Sequence, residues 1–209
     1  MSKIEWIFFD MGYTLVNEDA AHEVRISDGI QEMAQRGIII TSEQVWKEAY
    51  RYGSMFKSPI PHALRHLGVK NIRKYSTEDG EEAYEDARPA LLKLKENYKL
   101  GIIANQPVGA AERLKRYGLL DCFDAVFGSD DVGLKKPDVE FYIHAIKSVG
   151  CTPEQAVMVG DRPDNDVEPA TKAGMHTVRI LRGFFKDAPD SIKPDHTISS
   201  LMQLREIYK

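Results

Sequence analysis

The sequence contains few cysteines, no long apolar run and no excess of basic residues. Two cysteines in 209 residues are too few for a disulfide framework or a thiolate zinc site. The first apolar stretch, residues 7–9, is shorter than a signal-peptide core or a membrane span. A formal net charge of -4 gives no electrostatic reason to expect nucleic acid as a partner. We therefore expect a cytoplasmic protein with reduced cysteines that binds neither nucleic acid nor a membrane.

Three short apolar runs are each followed by polar residues, and they occupy residues 6–9, 100–103 and 156–159. Continuous rather than alternating apolar character is typical of strands that are buried on both faces of a parallel sheet. Further strands are plausible at residues 125–127 and 176–180, and helical patterns alternate with the strands. The helical patterns cover residues 90–97, 110–117, 139–149 and 167–173. This alternation predicts an α/β fold with a Rossmann-like, doubly wound parallel sheet as its core.

Residues 18–86 interrupt this alternation, since they contain amphipathic helical patterns but no convincing buried strand. We predict a small α-helical lobe, inserted after the first strand, with residues 76–85 as the return linker. The predicted domains are therefore an α/β core of residues 1–17 and 87–209 and a helical insert of residues 18–86.

Polar residues follow three of the predicted strands, namely Asp10, Asn105 and Asp161. Ligands bind beyond the carboxyl ends of the strands in an open parallel sheet. A single carboxylate at such a position commonly caps a turn or a helix. Three such residues in register, with a lysine segment around Lys136 between the last two, indicate a functional site instead.

The same residues resemble the four motifs of the haloacid dehalogenase superfamily of hydrolases. The segment Asp10-Met11-Gly12-Tyr13-Thr14-Leu15 resembles the first motif, and Asn105 after Ile102-Ile103-Ala104 resembles the second. Lys136, in Gly133-Leu134-Lys135-Lys136-Pro137-Asp138, matches the third, and residues 159–166 match the fourth. The motifs occur in the right order over nearly the whole chain, and the helical insert lies where the family carries a cap of its first type.

The resemblance implies a Mg²⁺-dependent phosphatase that hydrolyses a small phosphorylated metabolite. Asp10 is then the nucleophile, which forms an aspartyl-phosphate and divides the hydrolysis into two easier steps. Mg²⁺ prefers oxygen ligands, and Asp10, Asp161 and the backbone carbonyl of Gly12 are expected to supply them. Asp166 is expected close behind, as an outer or water-bridged ligand.

Three other residues receive roles from the same resemblance. Lys136 is expected to neutralise the nucleophile and the transferring phosphoryl group as a compact charge. Thr14 and Asn105 are expected to contribute hydrogen bonds around the phosphate or the motif loop. The residues themselves do not indicate an oligomeric state.

Position 12 departs from the family pattern, because phosphatase members carry there a second Asp that acts as general acid and base. Gly12 keeps a carbonyl for metal but removes a group that typically contributes about 10² to 10⁴ in rate. Ala104 also replaces a hydroxyl residue, at a cost of about 0.5 to 1.5 kcal/mol for one hydrogen bond. A nearby group could substitute for the missing acid, and the candidates where the chain enters the insert are Glu18, Asp19, His22 and Glu23.

Other interpretations stay open. The substrate could have a leaving group that needs no proton, such as an acyl phosphate, or the protein could bind phosphate or metal without turnover. A dehalogenase works without metal, and a phosphonatase needs a Schiff-base lysine in the cap, for which Lys47 and Lys57 are available. We also expect residues 179–182 to form an edge strand. The aromatic and Met side chains of the insert either line a substrate pocket or only pack the helical lobe. They are Trp46, Tyr50, Tyr52, Met55 and Phe56.

Overall fold

A computed structural model of the chain describes residues 3–72 and 80–208, and these form a sheet of six parallel strands next to a helical lobe. The strands in chain order are β1 (Trp6–Phe9), β2 (Val16–Asn17), β3 (Glu82–Ala83), β4 (Lys99–Ala104), β5 (Ala125–Gly128), β6 (Ala156–Gly160), β7 (His176–Ile180) and β8 (His196–Ile198). The main sheet has the order β5-β4-β1-β6-β7-β8, and β2 pairs with β3 in a separate antiparallel ribbon. The predicted parallel α/β sheet is confirmed.

Helices cover both faces of the sheet. They are α1 (Asp19–Gln35), α2 (Ser42–Gly53), α3 (Pro59–His66), α4 (Ala87–Leu94), α5 (Ala110–Arg116), α6 (Ser129–Val132), α7 (Val139–Ser148), α8 (Glu168–Lys172) and α9 (Leu204–Ile207). Side chains of α4, α5 and α9 share one apolar cluster with Ile7 and Phe9, whereas α7 and α8 share another with Phe8. Successive residues of a strand point to opposite faces, so the apolar run in β1 is buried from both sides. No helix within the described residues is long and apolar enough to cross a membrane.

Helices α1, α2 and α3 pack together into the helical lobe. Its apolar cluster includes Ile26, Val45 and Leu64, together with Phe184 and Phe185 from the segment after β7. The ribbon of β2 and β3 lies where the chain leaves the core and returns to it. Residues 73–79, which include the start of the predicted return linker, lie outside the described residues, and the domain boundaries stay a prediction.

The sequence-based prediction was wrong at the edge of the sheet near β7. Strand β8 was missed, and it pairs with β7 in parallel, so β7 is not an edge strand. Arg179 is buried rather than solvated, and its guanidinium donates to Asp190 Oδ1 (2.7 Å) and to the Phe185 carbonyl (2.6 Å). An edge strand would leave this basic residue exposed, but an ion pair and backbone carbonyls bind its two Nη atoms inside the protein, while its Nε has no hydrogen-bond partner among the described residues.

Candidate active site

The carboxyl ends of β1, β4 and β6 meet at one edge of the sheet. Asp10 follows β1, Asn105 follows β4 and Asp161 follows β6. Because these strands are parallel neighbours in the order β4-β1-β6, the residues that follow them lie side by side. The Asp10 backbone N–H donates to the Val159 carbonyl at 2.9 Å, which extends the sheet hydrogen bonds up to the site.

Three carboxylates converge at this edge. Asp10, Asp161 and Asp166 each present an oxygen atom, and these atoms all lie within 4.8 Å of one another. All three residues are buried. Asp166 comes from the wide helical turn after β6, where its Oδ2 accepts the Arg162 backbone N–H at 3.0 Å. Gly160 permits this approach, because a Cβ atom at that position would overlap the Asp166 carboxyl group.

Lys136 supplies the positive charge within the cluster. Its Nζ lies 2.5 Å from Asp10 Oδ1 and 2.6 Å from Asp166 Oδ1, and the side chain is 3% exposed. Asn105 holds the backbone of this residue from both sides. Its Nδ2 donates to the Lys136 carbonyl (2.9 Å), and its Oδ1 accepts the Lys136 backbone N–H (2.8 Å). The side-chain amide of Asn105 is thus engaged with the lysine loop.

Burial and mutual repulsion shape the ionisation of these groups. Burial raises the pKa of Asp161 well above its usual range, and the charges of Asp166 and Asp10 act in the same direction. Burial raises the pKa of Asp166 to about 6, although Lys136 opposes this. Burial alone would lower the pKa of Lys136, but Asp10 and Asp166 hold it above its usual value. Three carboxylates around one ammonium leave an excess of negative charge, and this oxygen donor set fits Mg²⁺.

The two predicted site residues in the loop after β1, Gly12 and Thr14, lie in different surroundings. Gly12 lines the cleft above the carboxylates. Thr14 is fully buried, its hydroxyl has no hydrogen-bond partner among the described residues, and it is not part of the cleft lining. Tyr13 between them has φ 53° and donates its hydroxyl to Asp19 at 2.9 Å. The loop therefore brings Gly12, but not the threonine hydroxyl, to the cleft.

Two of the four groups considered as a replacement acid line the cleft, and these are Glu18 and His22. Asp19 is engaged with Tyr13, and the carboxylate of Glu23 accepts hydrogen bonds from α2. Arg113 Nη2 donates to Glu18 Oε1 at 3.1 Å. Burial raises the pKa of Glu18 to about 7, although Arg113 pulls it down.

A cavity of about 400 Å³ opens above the carboxylates. Its far wall was not identified from the sequence, because Phe184 and Phe185 come from the segment after β7 rather than from the insert. The aromatic and Met side chains of the insert that were considered for the pocket do not line it, and Trp46 and Tyr50 pack against Phe184 with ring centroids 5.3 and 5.5 Å away. Four residues at and just before the start of α3 also line the cavity, and these are Ser58, Pro59, Ile60 and Pro61. The side chains of His22 and Arg25 line it as well.

His22 forms part of this wall as a buried ring. It lies 6.1 Å from the Tyr13 ring and 5.4 Å from the Phe184 ring. Its Nδ1 has no hydrogen-bond partner among the described residues. Burial lowers the pKa of His22 to about 4, and the nearby charge of Arg25 contributes. The imidazole is therefore neutral at physiological pH.

Comparison with known proteins gives consistent results. A family model described as haloacid dehalogenase-like hydrolase matches residues 4–174. Two relatives are named glyceraldehyde 3-phosphate phosphatase. The one from Methanocaldococcus jannaschii is 33% identical, with 99% of this chain and 97% of the relative covered. The one from Pyrococcus furiosus is 33% identical as well, with 99% and 94% covered.

Solved structures share the fold. The crystal structure of a phosphatase of this family from Thermococcus onnurineus superposes with a TM-score of 0.71 at 27% sequence identity. The superposition covers 98% of this chain and 97% of the other. The similarity thus extends over the sheet, the helices and the inserted lobe.

Replacing Lys136 with Met tests whether its charge holds the cluster together. The substitution leaves three buried carboxylates without their ammonium, and breaking one side of a buried ion pair costs about 3 to 5 kcal/mol. We expect Lys136→Met to lower the free energy of unfolding by about that much in urea denaturation with EDTA, and added Mg²⁺ to recover part of the loss. The exposed neighbour Lys135→Met is the control and should change little. Equal stability of Lys136→Met and wild type in EDTA would contradict this account of the cluster.

The buried neutral His22 predicts a loss of stability in acid. The unfolded chain binds a proton at this residue below its usual pKa of about 6.5, whereas the folded protein does so only below about 4. The unfolded state therefore binds more protons between these values, and the stability falls as the pH falls through this window. His22→Phe keeps the aromatic packing but cannot bind this proton. Between pH 7 and pH 4 we expect its free energy of unfolding to fall by up to about 3 kcal/mol less than that of wild type. Urea denaturation across this range measures the difference, and parallel stability curves would refute it.

Proposed function

The chain belongs to the haloacid dehalogenase-like hydrolases, and on that premise we propose that it is a Mg²⁺-dependent phosphatase that forms an aspartyl-phosphate at Asp10. The observation that carries the proposal is the buried ammonium of Lys136, held between Asp10 and Asp166 at the carboxyl edge of the sheet. Compared with well-packed apolar residues, a buried ion pair adds little net stability, although removing one of its partners is costly. The Lys136 ammonium provides the positive charge that a carboxylate needs in order to approach a phosphate dianion.

Asp10 is the nucleophile in this proposal. Its Oδ attacks phosphorus, the bond to the leaving oxygen breaks, and the phosphoryl group is held on the enzyme until water removes it. The approach brings two anions together, so positive charge must be in place beforehand. Lys136 provides this charge from a fixed position, since Asn105 clamps its backbone and its carboxylate partners orient its ammonium.

We assign the metal site to the carboxylates of Asp10 and Asp161 and the carbonyl of Gly12, with Asp166 behind them. The excess of buried negative charge and the all-oxygen donor set support this assignment. When bound, Mg²⁺ would neutralise the carboxylates and polarise a phosphoryl oxygen. Asp166 would orient Lys136, because its carboxylate contacts the ammonium directly.

Asn105 and Thr14 act on the site indirectly in this proposal. Asn105 binds the backbone of Lys136 with one amide N–H and with its side-chain oxygen, which places the lysine, and this contact does not use the second N–H of the amide. Thr14 is a buried residue of the motif loop, and its carbonyl accepts a hydrogen bond from Arg182 at 3.1 Å. It would brace the loop that carries Gly12 rather than contact the phosphoryl group.

We propose that residues 18–86, with helices α1 to α3, act as a cap that closes over the site and excludes water. The cavity of about 400 Å³ beneath it suits a small phosphorylated metabolite better than a macromolecule. Relatives that match nearly the whole chain are named glyceraldehyde 3-phosphate phosphatase. A triose phosphate is therefore the first metabolite to test.

A phosphonatase is less well supported than a phosphatase. Among the described residues, Lys136 is the lysine that lines the cleft, and it is already held by two carboxylates. The two cap lysines considered for a Schiff base, Lys47 and Lys57, are exposed and do not line the cleft. The metal-type carboxylate cluster likewise favours a phosphatase over a metal-free dehalogenase.

Steady-state hydrolysis of p-nitrophenyl phosphate tests the proposed function. We expect turnover with Mg²⁺, its loss in EDTA and its recovery on adding Mg²⁺ back. Asp10→Asn should abolish turnover because an amide is not a nucleophile, while its melting temperature shows that it is folded. Glyceraldehyde 3-phosphate is then assayed by release of inorganic phosphate. Turnover that survives either EDTA or Asp10→Asn would overturn the proposal, and equal inactivity of wild type and variant on both substrates would favour a binding protein.

A further inference from the structure

The proposed hydrolysis of an alkyl phosphate requires a proton donor, because an alkoxide is a poor leaving group. The described carboxyl and imidazole groups that line the cleft are Asp10, Asp161, Glu18 and His22. Asp10 is committed as nucleophile, and Asp161 belongs to the carboxylate cluster that fits a metal. Glu18 and His22 are therefore the groups that could transfer the proton.

The carboxyl group of Glu18 occupies the space that a side chain at position 12 would fill. A Cβ atom built on Gly12 would lie 2.6 Å from Glu18 Oε1, 3.0 Å from its Cδ and 3.2 Å from its Oε2. Position 12 is two residues after the nucleophile and lines the same cleft. A residue six positions further along the chain thus brings an acid to the place that the glycine leaves open.

Helix capping does not explain the position of Glu18. The residue is the N-cap of α1, but its side chain makes no capping hydrogen bond. It turns instead towards the cleft, where Arg113 of α5 donates to its Oε1. Arg113 is itself buried and held by Glu81 (2.6 Å) and by the Tyr117 hydroxyl (3.2 Å). The acid is therefore held by a residue of α5 as well as by its own place at the start of α1.

His22 is the weaker of the two candidates. Its ring is packed against the rings of Tyr13 and Phe184. Its Nε2 lies 3.9 Å from Glu18 Oε2, which is beyond hydrogen-bond distance. It contacts the nucleophile loop through Tyr13, but the atoms nearest to a Cβ atom at position 12 belong to Glu18 and not to His22. His22 therefore serves as a wall beside Glu18.

We propose that Glu18 is the general acid and base of this enzyme, in place of an acid at position 12. In the first step Asp10 Oδ bonds to phosphorus, the bond to the leaving oxygen breaks, and the Glu18 proton passes to that oxygen to give the free alcohol. In the second step the Glu18 carboxylate takes a proton from water, whose oxygen bonds to phosphorus. The bond to Asp10 breaks, which releases inorganic phosphate and leaves Glu18 protonated again.

The test compares leaving groups in wild type and Glu18→Gln, with saturating Mg²⁺. Glycerol 3-phosphate has an alkoxide leaving group, whereas p-nitrophenolate leaves without a proton. We expect kcat/KM on glycerol 3-phosphate to fall by about 10² to 10⁴. The first turnover on p-nitrophenyl phosphate should change by less than about tenfold, since only the second step still needs Glu18. Stopped-flow assays should therefore show a stoichiometric burst of p-nitrophenolate followed by slow turnover.

Two further variants act as controls. Glu23→Gln removes an acid of the same helix whose carboxylate accepts from Ser42 (3.1 Å) on α2, and it should keep the wild-type ratio of the two activities. The double variant Gly12→Asp, Glu18→Ala moves the acid to position 12. It should hydrolyse alkyl phosphates faster than Glu18→Gln does. Gly12→Asp alone should not increase activity, because the Glu18 carboxyl already fills the space. Melting temperatures establish that each variant is folded.

The possible outcomes separate this proposal from the proposed function on which it rests. Equal losses on both substrates without a burst would overturn the role of Glu18 and reduce it to a structural partner of Arg113. Wild-type alkyl-phosphate activity in Glu18→Gln would overturn it as well. If wild-type protein and Asp10→Asn are equally inactive on both esters, the phosphatase proposal itself fails, and the role of Glu18 fails with it.

Discussion

The contact of the Lys136 ammonium with Asp10 and Asp166 is the interaction on which the rest of the site depends. It places one positive charge among three buried carboxylates, and the surrounding structure is arranged to make this possible. Parallel strands bring Asp10 and Asp161 to one edge, and Gly160 lets Asp166 approach from the following turn. Without this ammonium, burial would leave the carboxylates uncompensated. The remaining negative charge is what a divalent cation would neutralise before a phosphoryl group could approach.

The central strands and the polar residues at their ends could be predicted from the sequence, because continuous apolar runs are typical of strands buried on both faces. The same reasoning missed β8, which is only three residues long and has two exposed positions. It also misjudged Arg179, whose partners Asp190 and Phe185 lie several residues away along the chain. Short strands and buried ion pairs depend on tertiary contacts, and a local sequence pattern does not reveal those contacts.

Local sequence patterns also predicted only part of the cleft. Motif spacing identified Asp10, Lys136 and Asp161, and the structure brings these together. The position of Glu18 depends instead on a contact between the cap entrance and α5 through Arg113. Phe184 and Phe185 reach the lobe from the segment after β7. The segment after β7 and the residues that lead into α1 thus both line the cleft.

The most direct test of the central claim is chemical trapping of the phosphorylated residue. Wild-type protein is mixed with p-nitrophenyl phosphate and Mg²⁺, quenched with acid during turnover and reduced with borohydride, which converts an aspartyl-phosphate to homoserine. Peptide mass spectrometry then locates the changed residue. The account predicts homoserine at position 10 and no change in a sample without substrate. An unmodified Asp10 in protein that releases phosphate, or a trapped residue elsewhere in the chain, would contradict it.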